Sequence, residues 1–160
     1  MKKYSLILLA ILFGVGGIYW WKYGRAQNIK MEEVMVIDVN GDVARLSALT
    51  KGPSIVHFYA SWCGPCVKEL PALIDFAKNH QEEYNFVLIT DDDANKLHRV
   101  IRMGEGAIMV RRVESLKDQN IYTIPATYFV NSNEILKKEI GEIQWNSSEM
   151  EQELKSIFNP

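Results

Sequence analysis

The sequence predicts an α/β fold, a mixed central sheet flanked by helices, and three observations carry that prediction. Two apolar runs of strand length, residues 54–60 and 86–90, are each followed by a helical pattern. Turn signals at Asn40-Gly41 and Ser132-Asn133 put hairpins before and after that alternation, giving a mixed sheet between helical layers. The only two cysteines, Cys63 and Cys66, stand where the first apolar run meets its helix. No repeat or low-complexity run interrupts the pattern.

Taken in order, residues 25–33 read as a polar tether and 34–38 as a strand. Asn40-Gly41 is a hairpin turn in which both residues can take positive φ. Residues 43–49 form the return strand and its exit. Residues 54–60, apolar almost throughout, fit a central strand buried on both faces. The helix over residues 63–79 spaces Cys66, Leu70, Leu73, Ile74 and Ala77 along one core face. Pro71 inside it removes a backbone donor and implies a kink. After the strand at 86–90, Asp91-Asp92-Asp93 opens a helix running to Met103. Acidic residues in a first turn complement the helix dipole, and a cation site is the competing reading. Residues 104–120 carry the least pattern: 114–119 suggest a short helix, and 107–113 receive no assignment. Residues 127–131 and 135–140 pair across Ser132-Asn133. The last helix opens at a capping box, Ser148 with Glu151, and buries Met150, Leu154, Ile157 and Phe158.

Composition narrows the class. With 160 residues, 48% of them hydrophobic, the chain has material for one domain with a real core. Residues 1–30 hold five basic residues (Lys2, Lys3, Lys22, Arg25, Lys30) and no acidic one. The remainder carries thirteen basic against twenty acidic residues, a net of −7. An acidic globular part without a basic stripe argues against nucleic acid as a partner. The domain organisation is therefore an N-terminal membrane anchor and tether over residues 1–30 and one globular domain over 31–160. Residues 5–21 are uncharged and rich in Leu, Ile and Val. As a helix they would rise about 25 Å, slightly short of a hydrocarbon core of about 30 Å. Tyr19, Trp20, Trp21 and Tyr23 are suited to the interface and extend the reach. The alternative is a signal peptide cleaved near Gly24-Arg25-Ala26, although the approach to that site is bulky and charged. Basic residues flank both ends, so the positive-inside rule does not fix orientation.

The chemistry concentrates in Trp62-Cys63-Gly64-Pro65-Cys66. A strand, a short turn and a helix put Cys63 at a helix N-terminus, where unpaired N–H groups and the dipole favour a thiolate. Only the thiolate attacks disulfides, which makes Cys63 the candidate nucleophile; Cys66, one turn further in, is placed to close an intramolecular disulfide. Half of a zinc site and a purely structural disulfide are the competing readings. No second pair follows, His57, His80 and His98 are scattered, and so short a loop gains little unfolded-state entropy. Glu69 lies one turn beyond Cys66 on the same helix, with a solvated surface carboxylate as its alternative.

These residues resemble a known family. Trp-Cys-Gly-Pro-Cys, followed five residues later by Pro71, is similar to the active site of the thioredoxin superfamily. The wider frame resembles the membrane-anchored, extracytoplasmic proteins of the TlpA/ResA type. It consists of Asn40-Gly41, Leu46-Ser47-Ala48-Leu49, Lys51-Gly52-Pro53, Glu69 and Ile124-Pro125-Ala126-Thr127, and covers residues 34–158. The resemblance implies a thioredoxin-like fold with an N-terminal hairpin extension and a thiol–disulfide oxidoreductase whose redox centre is the Cys63–Cys66 disulfide, with no other cofactor and no metal. It further implies that Glu69 is buried and tunes the cysteines, and that Pro125 is cis beside the disulfide. The backbone of Ile124 would then pair with the substrate chain, and Trp62 would shield Cys63 and offer apolar contact. His57 stands where thioredoxin has a buried aspartate, a departure that leaves it either a proton relay or a hydrogen-bonded core residue.

The expected function is an outward-facing, membrane-tethered reductase of disulfides in client proteins. Clients would include apocytochrome c or a copper-site assembly protein, and a membrane thiol–disulfide carrier would serve as reductant. The expected location is the cytoplasmic membrane, with the domain in the periplasm or cell exterior. The rivals are a general disulfide oxidase or isomerase, and a non-enzymatic copper carrier using the two thiolates with Met103 or Met109.

Overall fold

The computed structural model describes residues 29–159 together with residues 13, 14, 16 and 17. Among the described residues no helix is long and apolar enough to cross a membrane, and the expected span over residues 5–21 falls, those four positions apart, outside them. Among the described residues seven strands form one sheet: β1 (Met35–Ile37), β2 (Val43–Arg45), β3 (Ser54–Phe58), β4 (Asn85–Thr90), β5 (Met109–Arg112), β6 (Ala126–Asn131) and β7 (Glu134–Ile140). Their order is β2-β1-β5-β4-β3-β6-β7. The β3, β4 and β5 neighbours are parallel and the other pairs antiparallel. The fold is the expected mixed α/β, thioredoxin-like sheet.

Successive strand residues face opposite sides, so β3 serves two cores. Ile55 packs with the helices α1 (Gly64–His80), α2 (Ala94–Gly104) and α3 (Ser148–Phe158), whereas Val56 and Phe58 face the other way. His57, between them, also points to the helical side, where it meets Trp145. These three α-helices share that one face. The other face is covered by Ile29, Met31, Val34 and Leu46 and by Val113, Leu116 and Ile121. The expectation of helical layers on both sides is therefore corrected. Only thirteen residues lie between β5 and β6, and they turn through a 3-10 segment, Lys117–Gln119, rather than a helix.

Other local expectations shift for identifiable reasons. The first hairpin turn has only Gly41 at positive φ, not Asn40. Asp38 organises it instead, its Oδ1 accepting the Asn40 and Asp42 N–H groups at 2.8 and 2.9 Å. Ser132 and Asn133 do both adopt positive φ (50° and 72°) and join β6 to β7 as a tight hairpin. The cap of α3 is Ser147, which accepts the Met150 N–H, one residue before the expected Ser148. Ile157 is only partly buried. Residues 107–113 contain β5, an unassigned strand whose Arg111 and Arg112 hid its half-buried alternation.

The three aspartates divide their work rather than filling a first helical turn. Asp93 caps α2 by accepting the Lys96 N–H, and Asp91 accepts the Leu116 N–H. Asp92 is buried and holds the loop ahead of the cysteines. It accepts from the Ser61 N–H and Oγ at 2.7 Å each, from Thr90 Oγ1 at 3.1 Å and from Lys96 Nζ at 3.4 Å. Burial pushes its pKa up, but the Ser61, Thr90 and Lys96 bonds outweigh that and hold it below the ordinary value. A carboxyl so depressed contributes stability above its unfolded pKa of 3.8 that is lost as pH falls through the folded value. Asp92→Asn is expected to lose about 1–3 kcal/mol in urea unfolding at pH 7, with the gap to wild type closing below about pH 4. An unchanged midpoint would remove Asp92 from this role.

Candidate active site

The active-site turn begins at a helix start. Cys63 is the N-cap of α1, in extended conformation, and its Sγ accepts the Cys66 N–H at 3.3 Å. Gly64 and Pro65 fill the first two helical positions, where proline's missing N–H has no helical partner to lose. The two sulfurs are bonded to each other at 2.08 Å. Cys63 keeps 6% of its surface and Cys66 none, so an incoming sulfur can meet only Cys63. In the reduced state a Cys63 thiolate would take that same N–H and lie at the positive end of the dipole, both of which favour the anion.

Glu69 is 3% exposed, which rules out the surface reading. Its Oε1 accepts the Trp145 indole N–H at 2.5 Å. Its Oε2 is buried and has no hydrogen-bond partner among the described residues. Burial pushes the carboxyl up to about 7, opposed first by the Trp145 hydrogen bond and then by the nearby Ile143 backbone N–H, and assisted by the Glu142 charge. The helix thus brings Cys66 and a carboxyl that can change protonation near neutral pH onto one buried face.

His57 lies in the layer beneath. Strand register sets it opposite Thr127, and its Nδ1 is 2.9 Å from Thr127 Oγ1. Its Nε2 has no partner among the described residues, and burial lowers its pKa to about 4, which keeps the ring neutral at physiological pH. The His57 ring meets Trp145 edge-on at 6.5 Å.

On the opposite side of the sulfurs, the Ile124-Pro125 peptide bond is cis and Ile124 O is 3.7 Å from Cys63 Sγ. Gly141 N–H donates to Pro125 O at 2.9 Å, tying this loop to the segment that delivers Trp145. Trp62 is 71% exposed at the rim, an indole face open to a partner. A groove of about 640 Å³ opens beside Ser61 and Val67, lined also by Leu70, Leu97 and Arg99.

The structure therefore gathers Cys63, Cys66, Glu69, Ile124 and Pro125, with Trp62 at the edge. Met109, named for the copper-carrier rival, packs on the sheet face opposite Cys66, so it cannot join the sulfurs in one site. Among the described residues no group of three His, Cys, Asp or Glu side chains could hold a metal ion. Sequence reasoning missed Trp145 and Thr127. Thr127 was findable, because a strand partner for a buried histidine needs a hydroxyl or carbonyl. Trp145, set between Gln144 and Asn146 outside any periodic pattern, gave only its size as a signal.

Comparison with known proteins agrees with this geometry. The chain is 27% identical over 149 residues to sporulation thiol-disulfide oxidoreductase A of Bacillus subtilis, covering 84% of this chain and 89% of that protein. It is 26% identical over 107 residues to the thiol-disulfide oxidoreductase ResA of Bacillus cereus, covering 61% and 62%. The solved structure of Mycobacterium tuberculosis DsbF superposes with a TM-score of 0.65 at 16% identity, over 80% of this chain and 97% of that one, a likeness of fold. The AhpC/TSA family matches residues 25–139, and the chain belongs to that family as a thioredoxin-like member of the ResA kind.

Proposed function

We propose that this thiol–disulfide oxidoreductase works outside the cytoplasm, tethered to the membrane, mainly as a reductant of client disulfides. The observation that carries the chemistry is the Cys63–Cys66 disulfide at a helix N-terminus, one sulfur reachable and the other sealed beside a buried carboxyl. In the reductive direction, the Cys63 thiolate attacks one sulfur of a client disulfide. A Cys63–client bond forms, and the other client sulfur leaves as a thiolate and takes a proton from water. Cys66 gives its proton to the Glu69 carboxylate and attacks Cys63 Sγ, displacing the second client thiolate. Two electrons have passed to the client, and the Cys63–Cys66 disulfide is restored. Ile124 O beside Cys63 is placed to pair with the client backbone, and Trp62 supplies apolar contact.

The tether rests on the apolar residues 5–21, and the family resemblance supports an outward-facing domain, re-reduction by a membrane thiol–disulfide carrier and cytochrome c maturation clients such as apocytochrome c. The uncharged Gly64-Pro65 dipeptide matches that of thioredoxin. The couple is therefore expected near thioredoxin's potential of about −270 mV, and a value near DsbA's about −120 mV would favour the oxidase reading.

Cys66→Ser is expected to accumulate a client joined to Cys63 through a mixed disulfide, which Cys63→Ser abolishes; non-reducing gels and mass spectrometry read both. For Glu69, the rate of mixed-disulfide resolution in wild type is expected to rise through a midpoint near pH 7. Glu69→Gln loses that midpoint and slows resolution by roughly a hundredfold at pH 8. Because burial raises this carboxyl, its ionisation costs stability above its ordinary value of 4.5 and most above about 7. The unfolding free energy of Glu69→Gln relative to wild type should therefore improve from pH 4.5 to about 7 and level off above it. A pH-independent difference would place the carboxyl outside the sealed layer.

A further inference from the structure

Among the described residues, Trp145 supplies the side-chain hydrogen bond that Glu69 accepts. It is 1% exposed and belongs to the segment between β7 and α3, more than seventy residues along the chain from the active-site helix. Its ring is wedged between Phe76 of α1 at 5.5 Å and His57 of β3 at 6.5 Å, so the indole cannot swing away. Its single N–H ends on Glu69 Oε1 at 2.5 Å. The same segment is bound at two further points: Gly141 N–H to Pro125 O, and Glu142 to Lys68 of α1 at 2.8 Å.

A carboxyl with one oxygen clamped and the other without a partner is not symmetric. The clamped Oε1 favours the charged form, and the proton can only be carried on Oε2. We propose that Trp145 is a positioning residue for disulfide exchange, fixing Glu69 through its indole N–H so that Oε2 is the atom that takes and returns the Cys66 proton. The inference rests on Glu69 acting as the proton acceptor for Cys66. Other ionisable groups near the carboxyl among the described residues come from four elements. Cys66 and Lys68 share its helix, Glu142 lies on the Trp145 segment, and His57 faces from β3. His80 and Glu151 line the surface pocket on the outer side of Trp145. Lys68 is paired with Glu142, and of the His57 nitrogens Nδ1 meets Thr127 while Nε2 has no partner among the described residues, so neither side chain stands in for the indole as a donor to Glu69.

Trp145→Phe keeps an aromatic ring in the wedge and deletes only the N–H. Losing a donor to the charged form makes the carboxyl harder to ionise. The pH midpoint of mixed-disulfide resolution should move up by roughly one unit in Trp145→Phe, a slowing of roughly tenfold at pH 6. Adding the substitution to Glu69→Gln should move nothing further. An unmoved midpoint in Trp145→Phe while Glu69→Gln abolishes it overturns the positioning role and leaves the Glu69 reading intact. No effect of Glu69→Gln overturns that reading first. A measurement on the unaltered chain guards against a variant that fails to fold. The Trp145 indole ¹H–¹⁵N resonance of wild type should titrate with a midpoint near 7 and stop titrating in Glu69→Gln. A resonance constant from pH 5 to 9 in wild type overturns the proposal.

Discussion

The first two turns of α1 carry the two sulfurs and the carboxyl, and the sheet face beneath decides what each can do. Cys63 caps the helix and keeps a sliver of surface; Cys66 and Glu69, three residues apart, are pressed into the core. Burial is what separates the roles. It leaves a single sulfur for an incoming partner and shifts the carboxyl from an acid already ionised at neutral pH to one that can exchange a proton there. The α1 core residues Leu70, Leu73, Ile74 and Ala77 hold the helix against β3 and so keep that face closed.

The surroundings have been arranged by connections distant in sequence. Asp92, at the end of β4, grips Ser61 and so fixes the approach to Trp62 and Cys63. The segment after β7 reaches across to both the Pro125 loop and α1, joining the surface that would hold a client to the layer that would handle its protons. His57 completes that layer as a neutral ring hydrogen-bonded to Thr127, and Glu69 is the buried acid that α1 brings to it.

The legible parts were those in which chemistry is local. Cys63 and Cys66 announce a helix start because strand, turn and spacing are contiguous, and β3 reads as buried because it is apolar on both faces. Ser132-Asn133 reads correctly because two adjacent residues must both tolerate positive φ. Asn40-Gly41 looks the same in sequence, yet the Asp38 carboxylate selects a different turn. The strand at Met109–Arg112 was opaque because its neighbours, not its own residues, make it a strand. Trp145 was opaque for the same reason: its partner is fixed only once the sheet has closed.

The account turns on Cys63 being the sulfur that meets other molecules. The direct measurement is alkylation of the reduced protein with iodoacetamide at pH 7, quenched at partial reaction and read by peptide mass mapping. The account predicts label on Cys63 well ahead of Cys66, with Cys66 reacting only after unfolding. Equal labelling, or label first on Cys66, would contradict it.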